Sequence, residues 1–64
     1  MSVMEYCYLV HRLLLEADVC PTQGFQYCLD RVNTLIAVGL AADGHDDDAL
    51  QLAEDIARRW DLPV

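Results

Sequence analysis

From Phe25 to Leu40, apolar residues recur at three- and four-residue spacing. Phe25, Cys28, Leu29, Val32, Leu35, Ile36, Gly39 and Leu40 fall on one side of a helical wheel, and Gln26, Asp30, Arg31, Asn33 and Thr34 on the other. That period belongs to a helix with one buried face; side chains of a strand alternate every second residue. The spacing predicts a helix over 23–42 with its apolar side turned into the core. It also predicts that aspartate at Val32 or Ile36 unfolds the domain, because a small core has no place for an unpaired charge.

Two further helices flank it. Ser2 and Glu5 have capping-box spacing, and no glycine or proline follows for the next dozen residues, which predicts a helix over 3–17. Pro21 pushes Cys20 towards an extended conformation, and Thr22 is placed to cap the second helix. Gly39 is expected to be buried, letting a neighbouring helix approach, and Gly44 to end the helix in the left-handed conformation. A third helix over 47–60 carries Leu50, Ala53, Ile56, Ala57 and Trp60 as its apolar stripe. Glu54 with Arg58, and Asp55 with Arg59, form i,i+4 pairs, and Pro63 marks the stop. No strand alternation appears, and short loops favour antiparallel neighbours. The expectation is an all-α single domain over 1–64, a compact antiparallel three-helix bundle. Its core should hold Val10, Leu14, Phe25, Leu29, Val32, Ile36, Leu50, Ile56 and Trp60.

Composition limits what such a bundle can do. A domain of 64 residues buries only about 60% of the surface its unfolded chain exposes, so a partner or a second copy is expected to reinforce it. Apolar residues at 55% against 23% charged argue for a folded chain. Eleven acids against four arginines, with no lysine, give a net charge of −7. Such a chain repels nucleic acid and anionic membrane and points to a basic partner. The run "YCYLVHRLLL" is split by His11 and Arg12 well short of a membrane span, and "MSVMEY" lacks the basic start of a signal peptide. A cytoplasmic protein is expected, in a bacterial host cell if the gene is carried by a phage. Cys7, Cys20 and Cys28 match no CxxC or zinc spacing, which reads as reduced thiols. Cys7 and His11, four apart, with Cys28 as a third ligand, make the best candidate metal set. Antiparallel pairing should place Cys28 near Arg12 and over a turn from Cys7, so no metal or other cofactor is expected. His11 has no second catalytic group spaced to work with it, so the chain is not expected to be an enzyme.

The stretch "ADGHDDDAL" concentrates charge. Asp46 or Asp47 can cap the third helix while the others sit at the positive end of its dipole. A calcium loop would need its glycine within the aspartate run, where here it comes before. Capping uses one aspartate, yet residues 42–64 hold seven acids against two arginines, five of the seven net negative charges. Carboxylates spaced along a rigid helix can imitate a line of phosphates. Asp43, Asp46, Asp47, Asp48, Glu54, Asp55 and Asp61 are the candidate contact residues.

With "ADGHDDDAL" and "AEDIARRWD" as acidic helical segments, the chain resembles, at the level of a class, the small phage-encoded inhibitors that include DNA-mimicking anti-CRISPR proteins. The resemblance includes no alignable motif. It implies a basic nucleic-acid-binding target, such as a CRISPR effector subunit, blocked by occupation of its DNA site. A different reading starts from the first helix, where only Glu5, Arg12 and Glu16 form a polar sector. There Tyr8, Leu9 and Leu15, with Met4 and Leu13, extend the apolar surface beyond one core face. On that reading the chain is a helical interaction module or a weak homodimer working through Tyr8, Leu9 and Leu15.

Overall fold

Ser2 fixes the start of the first helix. Its Oγ accepts a hydrogen bond from the Glu5 backbone N–H at 3.1 Å, and its own N–H donates to Glu5 Oε1 at 3.3 Å, closing the expected capping box. The computed structural model describes residues 1–17 and 21–64; the extended Cys20 expected before Pro21 lies outside these. Helix α1 spans Val3–Glu16, a 3-10 turn covers Pro21–Gln23, α2 spans Gly24–Ala42 and α3 spans Asp46–Arg59. Each helix packs against both others, and no strand occurs among the described residues. His11 meets Thr34, and Tyr27 meets Leu14, so α1 and α2 run antiparallel.

The helix ends follow local chemistry, with two departures from expectation. Gly44, at φ 86°, ends α2 as foreseen. Its N–H donates to the Ala41 carbonyl while the His45 N–H donates to that of Leu40, the paired bonds of a Schellman motif. The same motif ends α3 on a residue that is not glycine. Asp61 adopts φ 51°, its N–H donates to the Arg58 carbonyl, and the Leu62 N–H donates to that of Ala57. At the start of α2 the cap position is Gln23, without a side-chain bond, and not Thr22; the 3-10 turn leads the chain in. At the start of α3 the cap position is His45, also without a side-chain bond, and neither Asp46 nor Asp47 takes it. Asp46, Asp47 and Asp48 instead form the first turn, where their charge complements the helix dipole.

The core departs furthest from expectation, at α2. Cys7, Val10 and Leu14 of α1 are buried together with Ala49, Ala53, Ile56 and Ala57 of α3, and Trp60 packs against them. Leu50 is half-buried. From α2, the buried residues are Asp30, Thr34 and Ala37. Phe25 is 80% exposed, Val32 56%, Leu35 54%, Ile36 49% and Leu29 43%, and Cys28 and Gly39 are exposed as well. The helix presents its apolar stripe to solvent, and Phe25, Leu29, Val32 and Ile36 are not core residues.

The cause lies in the partners that α2's polar residues find. Asp30 accepts from Arg59 Nη1 at 2.5 Å, Trp60 Nε1 at 2.7 Å, Gln26 Nε2 at 3.1 Å and Asn33 Nδ2 at 3.2 Å. Four donors on one carboxylate compensate its loss of water. Tyr27 packs edge-on against Trp60, with ring centroids 5.8 Å apart, and its hydroxyl donates to the Leu14 carbonyl at 3.0 Å. Ala37 shares the core with three alanines of α3, and residues that small let two helices approach closely.

Candidate functional site

Two 3-4 spacings coexist on α2. Tyr27, Asp30, Thr34, Ala37 and Ala41 run along the side facing α1 and α3. Phe25, Cys28, Val32, Leu35 and Gly39, with Leu29 and Ile36 beside them, run along the exposed side. The second set repeats at intervals of three and four, the spacing by which one helix docks on another.

This exposed side continues onto α1 through His11. A groove between the helices is lined by His11, Cys28, Arg31, Val32 and Leu35. A second, lined by Tyr8, Leu9, His11, Arg12 and Leu15 with Met1 and Glu5, adjoins it along α1. Tyr8 and Leu15 are exposed and Leu9 half-buried, so the residues expected to mediate self-association border the α2 face. Periodicity alone assigns these α2 residues to the core, whereas they are exposed. What could have signalled otherwise is the second spacing, in which short polar and small residues follow Tyr27.

His11 is held in place. Thr34 Oγ1 donates its single hydrogen to the Arg31 carbonyl at 2.7 Å, so across 2.7 Å it accepts from His11 Nδ1, which fixes the proton on Nδ1. His11 thus joins α1 to α2. Cys7 is buried against α3, where its thiol donates weakly to the Ala49 carbonyl at 3.8 Å, whereas Cys28 lies on the exposed face. Burial, followed by the negative charge of Asp46, pushes the Cys7 thiol above its ordinary pKa and away from thiolate chemistry. Among the described residues no three His, Cys, Asp or Glu side chains are grouped to hold a metal ion.

The acidic candidates divide. Asp43, Asp46, Asp47 and Asp48 are exposed and pair with no cation among the described residues. Glu54 lies 3.6 Å from Arg58 as expected, but Asp55 pairs with Arg58 and with Gln51 and not with Arg59, because Arg59 reaches across to Asp30. Asp61 has the conformational task of ending α3. The seven acids therefore do not form one free face; four cluster at the turn into α3.

Among the described residues no helix is long and apolar enough to cross a membrane. Comparison with protein families, with curated proteins and with solved structures finds no match to this chain.

Proposed function

We propose that this chain is a helical protein–protein interaction module whose working surface is the apolar face of α1 and α2. One observation carries the reading: Phe25, Leu29, Val32, Leu35 and Ile36 all stand exposed on one side of a helix whose other side already fills the core. A scattered exposed leucine is ordinary, but a contiguous stripe of this kind marks a surface that another molecule covers. Its surroundings suit an interface. Tyr8 supplies an aromatic ring, and Arg12 and Arg31, the two arginines without a carboxylate partner among the described residues, border the grooves. The test is photocrosslinking in cells that make the protein, with a photoreactive phenylalanine analogue at position 25 or at position 47. Adducts from position 25 and none from position 47 are expected; adducts from position 47 alone overturn the reading.

A second reading, imitation of nucleic-acid phosphates towards a basic DNA-binding partner, rests on the exposure of Asp43, Asp46, Asp47 and Asp48 without a cation beside them. DNA would compete with the protein for that partner, and salt would weaken the contact steeply. Three of these carboxylates sit where the α3 dipole favours them, which gives them a structural reason independent of any partner.

A further inference from the structure

Resting on the reading of the α1 and α2 face as the working surface, we infer that its occupant is a second copy of this chain, docked with the two α2 helices antiparallel about a two-fold axis beside Val32. Such an interface is self-complementary, since each residue on one side of the axis meets a residue about equally far on the other side. The α2 stripe has that property. Phe25 lies seven residues before Val32 and Gly39 seven after, each about 10.5 Å from the axis along the helix. The most protruding side chain of one copy therefore faces the position of the other that has no side chain. On the two flanks of the stripe Leu29 meets Ile36 and the smaller Cys28 meets Leu35, and Val32 meets itself at the axis. A parallel pairing would set Phe25 on Phe25 and glycine on glycine, leaving a clash at one end and a gap at the other.

Gly39 strengthens the case independently. Glycine inside a helix weakens it, and here nothing within the chain requires one, because a Cβ built at Gly39 meets no atom within 4 Å. The packing reason lies outside the single chain, and Phe25 of a second copy supplies it. Charge agrees. The chain carries −7, yet the single acid of α2, Asp30, is fully buried on the opposite side, so the stripe brings no exposed carboxylate of α2 against its copy.

Area agrees as well. The accessible surface of 4166 Å² is that of a compact protein of this mass, about 4100 Å², so the anomaly lies in which side chains form the surface. The five large apolar residues of α2 expose on the order of 600 Å², at the upper end for the largest patch on a typical monomer. Tyr8 and Leu15 bring this towards the roughly 800 Å² that each partner buries in a stable complex.

Sedimentation equilibrium of the full chain tests the proposal, with a dimer expected at micromolar concentration. Gly39→Leu is expected to weaken the dimer at least tenfold while raising the melting temperature of the dissociated chain, two effects of opposite sign that a folding defect cannot produce together. For register, helices about 8–10 Å apart with Cα atoms about 2.3 Å off their axes bring the two residues 32 to about 3.4–5.4 Å, which overlaps the range of a disulfide. Val32→Cys, with Cys20 and Cys28 replaced by serine, should therefore oxidise to a covalent dimer. Cys28 of the wild type, about 12 Å along the axis from its copy, should not. A wild-type monomer up to high micromolar concentration, an undiminished Gly39→Leu dimer, or failure of Val32→Cys to crosslink each overturns the proposal. Adducts from position 25 to a different protein, alongside a monomer in the centrifuge, would remove the second copy and leave the surface reading standing; no adducts at all would remove both.

Discussion

The Arg59 guanidinium, in the last turn of α3, donates to the fully buried Asp30 carboxylate at 2.5 Å and so locks the end of α3 to the first half of α2. Trp60 adds its indole N–H to the same oxygen at 2.7 Å, and its ring meets Tyr27, whose hydroxyl is bonded to α1. Helix α2 and the end of α3 thus meet at one carboxylate, and Tyr27 ties the same cluster to α1. This convergence sets the rotation of α2, and that rotation decides which face is left for a partner.

Asp30→Ala strands the Trp60 indole and the two amide donors while the half-exposed Arg59 regains water, and leaving a buried donor unsatisfied costs about 1–3 kcal/mol. Urea unfolding should show a loss of that size, a large share of the stability of so small a domain. Burial alone pushes the Asp30 pKa up, but the hydrogen bonds from Arg59, Trp60 and Asn33, with the Arg59 charge, outweigh it and hold the carboxyl below its ordinary value. A depressed folded pKa stabilises the protein above the unfolded value of about 3.9 and is lost as pH falls through the folded one. Stability should therefore decline below about pH 4, and Asp30→Asn should lose that component of the decline.

Asp61, a candidate contact acid by its charge, has a φ of 51° that gives it a conformational role. Asp61→Ala should cost about 1 kcal/mol, because alanine resists the left-handed region that aspartate tolerates, whereas Asp61→Gly should be neutral or mildly stabilising. Thermal melts that place both variants together below wild type would contradict this.

Asp47 and Asp48 lie in the first turn of α3, so replacing both with alanine should cost about 0.3–1 kcal/mol each at low ionic strength. Added salt should shrink the difference from wild type. A double variant as stable as wild type at low salt would leave these carboxylates without a structural reason and favour the mimicry reading.

Thr34→Val removes the acceptor of His11 Nδ1 and should destabilise by about 1 kcal/mol, measured by urea unfolding. Thr34→Ser keeps the hydroxyl and should recover most of the loss. Equal behaviour of the two variants would mean that the hydrogen bond between α1 and α2 contributes nothing.

Much of this was legible in the sequence. Ser2 with Glu5, Gly44, and the stripe of Ala53, Ile56 and Ala57 foretold the start of α1, the end of α2 and the buried face of α3, because those signals are local. The orientation of α2 was not local. Ranking positions by apolarity selected Phe25, Leu29, Val32 and Ile36, whereas burial followed Asp30, whose partners Arg59 and Trp60 lie about thirty residues away in sequence. On α1, Tyr8 and Leu15 are exposed. That their apolar surface continues across His11 onto α2 follows only from the packing.

Helix α2 turns its small and polar side inward and its apolar side outward. A matched pair of substitutions read by far-ultraviolet circular dichroism tests it most directly: Val32→Asp on the exposed side and Ala37→Asp on the buried side. Val32→Asp should keep its helical spectrum and a cooperative melt while Ala37→Asp loses both, because only Ala37 sits where an added charge would be buried without a partner. The reverse order, with Val32→Asp unfolded and Ala37→Asp intact, would contradict it.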